Sequence, residues 1–481
     1  MKYKIVILLI LVALTIEGYS QKKKSDKIAI KVSEEHLDAK MSTYTALSDK
    51  IWSFAEVGYQ ENQSSALLQE TLKGEGFEVK SGVADIPTAF VASYGSGKPV
   101  IGILAEFDAL PGLAQNAVPE ESDIEGQRAG HACGHHLFGT ASTAAAIAVK
   151  EWLKTNKMSG TIRVYGTPAE EGGGGKIYMV RAGLFKDVDA VINWHPGNQN
   201  SANPGYSLAN KTGKFRFYGK SAHAAGAPEQ GRSALDAIES MNYMLNMMRE
   251  HVTPETRIHY IITKGGDAPN IVPNFTEGYY YVRHPDIREV LLLWERMVKT
   301  AEGAALGTET RMEYEVLNGV YNLLPNESLA KVMHKNLEKV GGYTMNAEEK
   351  VFAEKIQSTL VKPVPLESTN IVQPYKVHSS GGGSTDVGDV SWVVPTTGLS
   401  TATWVPGTPA HSWQAVAAGG MSIGHNGMMV AAKTLFMTAT ELFQSPDVIE
   451  AAWKELREKT GEGFEYKSLI GDRNPPLDYR N

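Results

Sequence analysis

Apolar positions along the chain fall into two patterns. Helical spacing of Met41, Tyr44, Leu47, Ile51, Phe54 and Val57 predicts an amphipathic helix over Lys40–Tyr59, and a second follows over Ser64–Gly74, ended by glycines. Val79–Tyr94 alternates with turn breaks and predicts paired strands. Pro99–Leu104, Thr161–Tyr165 and Asp189–Asn193 are instead continuous apolar runs, as in strands buried on both faces of an α/β sheet. Each run ends in residues able to do chemistry. The first leads into Glu106-Phe107-Asp108-Ala109-Leu110-Pro111, the second into Thr167-Pro168-Ala169-Glu170-Glu171, the third into Trp194-His195-Pro196. Open α/β sheets place their sites at these carboxyl ends. Leu137–Leu153, rich in Thr, Ala and Ser, predicts a helix packed close against that sheet.

The pattern shifts near Lys211. Strands are predicted at Phe215–Tyr218, Arg257–Thr263, Glu277–Val282 and Thr308–Val316, with helices at Ser233–Glu250 and Ile287–Ala304. That β-α-β-β-α-β order predicts a ferredoxin-like α+β unit at 211–320, inserted in an α/β domain formed by 21–210 and 321–481. Met241, Met244, Met247 and Met248 read as core filler, or in part as a dimer face. Helices are expected at Leu329–Lys339, Glu348–Val361 and Ile423–Phe443, and a strand at Val390–Val394. The polar stretch from Gly461 reads as peripheral.

Length and charge narrow the class. A chain of 481 residues exceeds one core. Net charge is −7 with no clustered basic face, which excludes nucleic acid as a partner. Lys22-Lys23-Lys24 reads as a solvated tail. Met1–Ser20, with Lys2 and Lys4 before the apolar run Ile5–Ile16, has the form of a secretory signal, so an exported protein, periplasmic or extracellular, is expected. The run is shorter than the roughly 20 residues of a membrane span; an uncleaved anchor is the alternative. No other stretch is apolar enough to span a membrane.

Export normally invites disulfides, yet there is one cysteine. It lies in His131-Ala132-Cys133-Gly134-His135-His136, a compact group of soft and borderline metal ligands whose glycine lets the backbone turn. The candidate ligands are Cys133, His135, Glu171, His195 and His411, and a small buried cysteine is the plainer alternative. Thiolate, imidazole and carboxylate suit zinc or manganese. Five ligands exceed a closed four-coordinate site and point to two divalent ions that activate one water and polarise a carbonyl. Glu170 is then placed to move that water's proton to a leaving amine. Asp108 is a candidate to hold a ligating histidine in its tautomer; Glu106 stays open between ligand, support and mere strand-end acid. Gly172–Gly175 is no phosphate loop, because Ile177 follows Lys176 and no glycine stands five before Gly175. No Gly-x-Ser-x-Gly elbow follows a strand, and a Cys133 nucleophile would leave the strand-end acids idle.

At Glu106–Pro111, Cys133-Gly134-His135, Glu170-Glu171, Trp194-His195-Pro196 and His411 the sequence resembles the metal-dependent aminoacylase and carboxypeptidase superfamily, a zinc-peptidase-like fold with an inserted dimerisation domain. Gly130–His135, Thr385–Trp392 and Gly407–Trp413 look like its p-aminobenzoyl-glutamate hydrolase branch, and the likeness runs from about Lys40 to Phe443. The resemblance implies a homodimer, or a hetero-oligomer with a related subunit, acting on an N-acyl amino acid or dipeptide. It implies that His223, in Ser221-Ala222-His223-Ala224-Ala225, reaches a partner subunit's site to stabilise an oxyanion. Asn270 and Arg283 are implied as ligands of the substrate carboxylate. His136 and Glu106 stand where other members carry Asp, a departure expected to bear on the choice of metal. An N-acyl-amino-acid amidohydrolase or carboxypeptidase of other specificity is the second expectation, and a non-catalytic binding protein that kept the fold the third.

Overall fold

The computed structural model describes residues 27–378 and 382–480. The signal-like Met1–Ser20 lies outside the described residues. Among those described, no helix is long and apolar enough to cross a membrane.

The strands are β1 (Glu78–Ser81), β2 (Phe90–Ser96), β3 (Val100–Ala105), β4 (Leu110–Pro111), β5 (Ala129–Gly130), β6 (Gly160–Gly166), β7 (Ala190–Gly197), β8 (Ala209–Tyr218), β9 (Arg257–Lys264), β10 (Phe275–His284), β11 (Arg311–Val320) and β12 (Thr396–Ala402). A six-stranded sheet runs β1-β2-β6-β3-β7-β12. From β6 to β12 its neighbours are parallel, and β2 and β1 add antiparallel strands at one edge. Every residue of β3 is buried, so the unbroken apolar run marks a central strand. The helix His135–Asn156 packs across β3, β6 and β7 and against Ser422–Gln444. Its small residues serve that contact: a Cβ at Gly139 would stand 2.8 Å from the Glu106 carbonyl oxygen.

The second sheet is antiparallel with order β11-β8-β10-β9, covered by Ala234–Met248 and Ile287–Gly307. Counting its strands in chain order gives 4-1-3-2, the ferredoxin-like arrangement expected from the element order. Burial alternates strictly along β10, and Phe215, Phe217, Ile238, Tyr280, Trp294 and Met297 form a core of their own. The methionines divide: Met241 and Met248 are buried, whereas Met247 is exposed.

Two expectations from the later chain are corrected. Val390–Val394 is no strand; Val387–Ser391 is a short helix whose residues are all buried, and the edge strand is β12, which follows. Its sequence Thr-Thr-Gly-Leu-Ser-Thr-Ala looks polar, but Thr396 and Thr401 donate their hydroxyls to the carbonyls of Val394 and Gly427. Those bonds let β-branched residues fill a buried strand. Nor is the tail peripheral. An unforeseen helix, Pro446–Thr460, precedes it; Leu469 and Ile470 are buried, and Tyr479 reaches the body, its ring 5.6 Å from that of Tyr59.

Candidate metal centre

The site is assembled where β3, β6 and β7 end. Gly134, at φ +75°, precedes the helix His135–Asn156 and swings the backbone so that Cys133 and His135 face the same space. A side chain there would collide with Pro196, at 2.7 Å. His195 comes off β7, and its Nδ1 lies 2.7 Å from the Pro196 carbonyl oxygen. With a proton on that nitrogen, the Nε2 lone pair faces Cys133 Sγ at 3.3 Å. Glu170 and Glu171 follow Ala169, a non-glycine residue at φ +57°, and Glu171 N donates to Asp108 at 2.9 Å. His411 is likewise left-handed, at φ +59°; its backbone N–H donates to Ala132 O, and its Nε2 lies 3.2 Å from Glu171 Oε1.

These donors fall into triplets. Ligand atoms of Cys133, His135 and His195 lie within 4.8 Å of one another, as do those of Cys133, Glu171 and His411. Cys133 belongs to both, so its sulfur is placed between two points. A third group, Glu106, His135 and Glu170, adjoins the first. All of them except the wholly buried His135 line a cavity of about 560 Å³, whose wall also includes Asn193, Leu323 and Leu399.

The donors fit divalent metal on two grounds. Glu106 Oε2, His135 Nε2 and Glu171 Oε1 are buried without a hydrogen bond, a costly state for polar atoms that no cation satisfies. A thiolate, imidazoles and carboxylates together are also a donor set for divalent transition metals. Electrostatics agree. Burial pushes the Cys133 thiol well above its ordinary range, so the thiolate needs a cation beside it. Burial alone would lower the His135 pKa, but Cys133, Asp108 and Glu106 around it raise it well above that of a free imidazole. Asp108, which burial alone would raise, is held low by His135, whose Nδ1 lies 2.8 Å from it, and by the Glu171 N–H. Burial, then the nearby Glu106, Glu171 and Asp386, push Glu170 far above a normal carboxyl.

Sequence reasoning missed the supports. Lys176, wholly buried, pairs with Glu106 and Asp386, each at 2.7 Å. Glu61 accepts from Ala169 N and Thr88, and burial followed by the charge of Asp108 raises its pKa to about 8. Tyr479 and Arg480 donate to the Glu171 carbonyl at 3.0 and 2.6 Å. A lysine opening a helix after a glycine run was the only visible hint. His136 takes no part in the ligand groups: its Nε2 is 3.0 Å from the Gly419 carbonyl oxygen, and burial with His131 beside it holds its pKa low.

Three residues implied by resemblance lie outside this cavity. His223 is exposed in a loop of the second unit, its Nδ1 accepting from Gly226 N at 3.0 Å, which leaves an Nε2–H donor facing out. Asn270 is its neighbour, its carbonyl accepting from Ala224 N. Arg283 is near the other end of β10, paired with Asn210 and Arg257, its guanidinium 5.3 Å from the Tyr281 ring centroid. The run of β10 from Phe275 to Arg283 spans about 27 Å at strand rise. The structure therefore does not bring Asn270 and Arg283 to one carboxylate within a single chain.

Residues 102–371 match the family model of peptidase family M20/M25/M40. The chain is 40% identical over 454 residues to one of the subunits of the p-aminobenzoyl-glutamate hydrolase of Escherichia coli, covering 89% of this chain and 94% of that one. It is 31% identical over 445 residues to the Xaa-Arg dipeptidase of Mus musculus, covering 89% and 92%. Among solved structures it resembles a dinuclear metal-binding peptidase of Bacillus subtilis, with TM-score 0.58, 17% identity, and 85% and 99% of the two chains covered.

Proposed function

The chain belongs to peptidase family M20/M25/M40, and on that footing we propose that it cleaves p-aminobenzoyl-glutamate to p-aminobenzoate and glutamate with two divalent ions, zinc or manganese. The observation that carries this reading is the pair of ligand triplets sharing Cys133, with Glu170 lining the same cavity. Cys133, His135 and His195 would hold one ion, and Cys133, Glu171 and His411 the other. When bound, such ions supply Lewis acidity to an amide carbonyl and to water. The protein's own part is proton transfer and orientation. Glu170 takes the proton of the attacking water and returns it to the nitrogen of the departing amino acid. Asp108, 2.8 Å from Nδ1, fixes the His135 ring and leaves Nε2 as its ligating atom.

The Escherichia coli relative is one subunit of its hydrolase, which supports a second, related subunit as partner. A homodimer is supported by β9, an edge strand with Ile261 and Ile262 exposed, beside the exposed Tyr243 and Met247. In that assembly His223, with its outward Nε2–H, would serve the partner's pocket as an oxyanion donor, and Asn270 and Arg283 are the candidates for the substrate carboxylate. The Met1–Ser20 pattern supports export.

Release of glutamate from p-aminobenzoyl-glutamate, measured after chelation and again after manganese or zinc is restored, tests the proposal. Metal-restored release is expected; none with either ion would refute that substrate. The likeness to an Xaa-Arg dipeptidase favours a second reading, a dipeptidase, and the same assay on Xaa-Arg dipeptides decides between them.

A further inference from the structure

The cavity beside the ligand groups continues along the sheet behind His195. Side chains two apart on a strand share a face, so Asn193 stands on the same side of β7 as His195, one step deeper. Their partners on β12 are Gly398 and Ser400. Gly398 keeps the floor of this slot open: a Cβ there would collide with Asn193 Oδ1, so the carboxamide lies over the glycine. Pro204, Leu323 and Pro325 supply apolar wall. His195 and Asn193 are separated by two residues of strand, roughly 7 Å, which is the scale of a para-substituted benzoyl group.

Charge and hydrogen bonding set what the slot can hold. Among the described residues, no lysine or arginine lines the cavity. A carboxylate at its inner end would lose water and meet no cationic side chain, a costly state. The glutamate end of a substrate is therefore excluded there, and the acyl end is admitted. Three amides line the cavity, and two are committed to the chain. Asn203 donates to Pro374 O and accepts from Lys376 N; Asn326 donates to Ala452 O and accepts from Leu329 N. The half-buried Asn193 carboxamide has no such partner among the described residues.

We infer that this slot is the acyl subsite, that it takes an uncharged, flat aroyl group, and that Asn193 is the specificity-determining residue that reads the polar substituent at the far end of the ring. With the scissile carbonyl at the ligand groups, a para-amino group reaches the carboxamide and donates to Oδ1. The inference rests on the amide hydrolysis proposed above; it adds which end of the substrate enters the sheet face and what recognises it there.

Steady-state kcat/KM of the metal-loaded full chain on p-aminobenzoyl-, benzoyl-, p-carboxybenzoyl- and acetyl-glutamate tests it. Wild type should favour p-aminobenzoyl over benzoyl by roughly 3–10-fold, the effect of one neutral hydrogen bond. The p-carboxybenzoyl compound should be the poorest aroyl substrate. Asn193→Leu, of nearly unchanged volume, should erase the preference for the para-amino group while benzoyl-glutamate is still cleaved; a general loss of structure would lower all four together. Gly398→Ala should lower the aroyl rates at least about 10-fold more than the acetyl rate, because the added methyl closes the slot. Should Gly398→Ala fail to fold, Asn193→Leu carries the test. Absence of the para-amino preference in wild type, or an undiminished preference in folded Asn193→Leu, would overturn the inference alone. No cleavage of any of the four would overturn the proposed hydrolysis and the inference together.

Discussion

The two units of the molecule handle charge in opposite ways. In the α/β body, Glu106, Asp108, His135, Lys176 and Asp386 lie within a buried network around the strand ends. In the four-stranded sheet, Lys214, Arg216, Glu277 and Glu315 form a ladder on partly exposed side chains, extended by Arg473 from the tail. Both sets show distances near 3 Å, but only the first is dry. Buried charge is costly and persists where directed fields are needed, whereas exposed pairs are cheap and interchangeable. Distance alone does not separate a working ion pair from a surface one. Burial does.

The largest expected effect is at Glu170. Glu170→Gln should keep metal content and fold while turnover falls about 10²–10⁴-fold; near-normal kcat with full metal would remove the proton carrier from the body's network. Asp386→Ala should come next, costing about 3–5 kcal/mol in denaturant unfolding, because Lys176 loses a partner it cannot replace with water. A cost under about 1 kcal/mol would place that pair with the surface ladder.

Asp389 gives a smaller effect with a defined sign. Burial, assisted by Asp386, raises its pKa to about 7 despite donation from Tyr466 and Tyr321 N. Between the ordinary carboxyl pKa near 4 and 7, the folded chain keeps a proton that the unfolded chain has lost. Stability should therefore fall as pH rises through this window, and Asp389→Asn should flatten the slope in melting curves at pH 5, 6.5 and 8. An unchanged slope in the variant would show that Asp389 ionises as in water. The smallest effect belongs to the ladder: Arg216→Ala should cost less than about 1 kcal/mol and weaken further in salt. A larger loss would mean that the sheet face is drier than its exposure indicates.

Legibility followed the range of the interaction. Local periodicity carried β3, β6, β7, the helices flanking them and the β-α-β-β-α-β order, because each is written in consecutive residues. Cys133, His135, Glu170, Glu171 and His195 were visible because strand ends and a turn glycine announce them. Pairings between distant segments left no trace. Asp386 stands 210 residues from Lys176, and Glu61 108 from Ala169, and neither has a local pattern that implies the other. β12 escaped because threonine counts as polar until its hydroxyl finds a carbonyl. His136 adjoins a ligand in sequence yet is directed elsewhere, because residues next to one another on a helix point about 100° apart.

The hold of Arg480 on the Glu171 carbonyl sets a schedule for making the protein. The two residues are 309 positions apart. At about 5–20 residues per second of synthesis, some 15–60 s pass between the appearance of Glu171 and that of Arg480. Through that interval Cys133 and His135 already exist and His195 soon follows, while the brace behind one wall of the pocket does not. The nascent chain thus carries a collection of strong ligands before the segment that braces their pocket has been made.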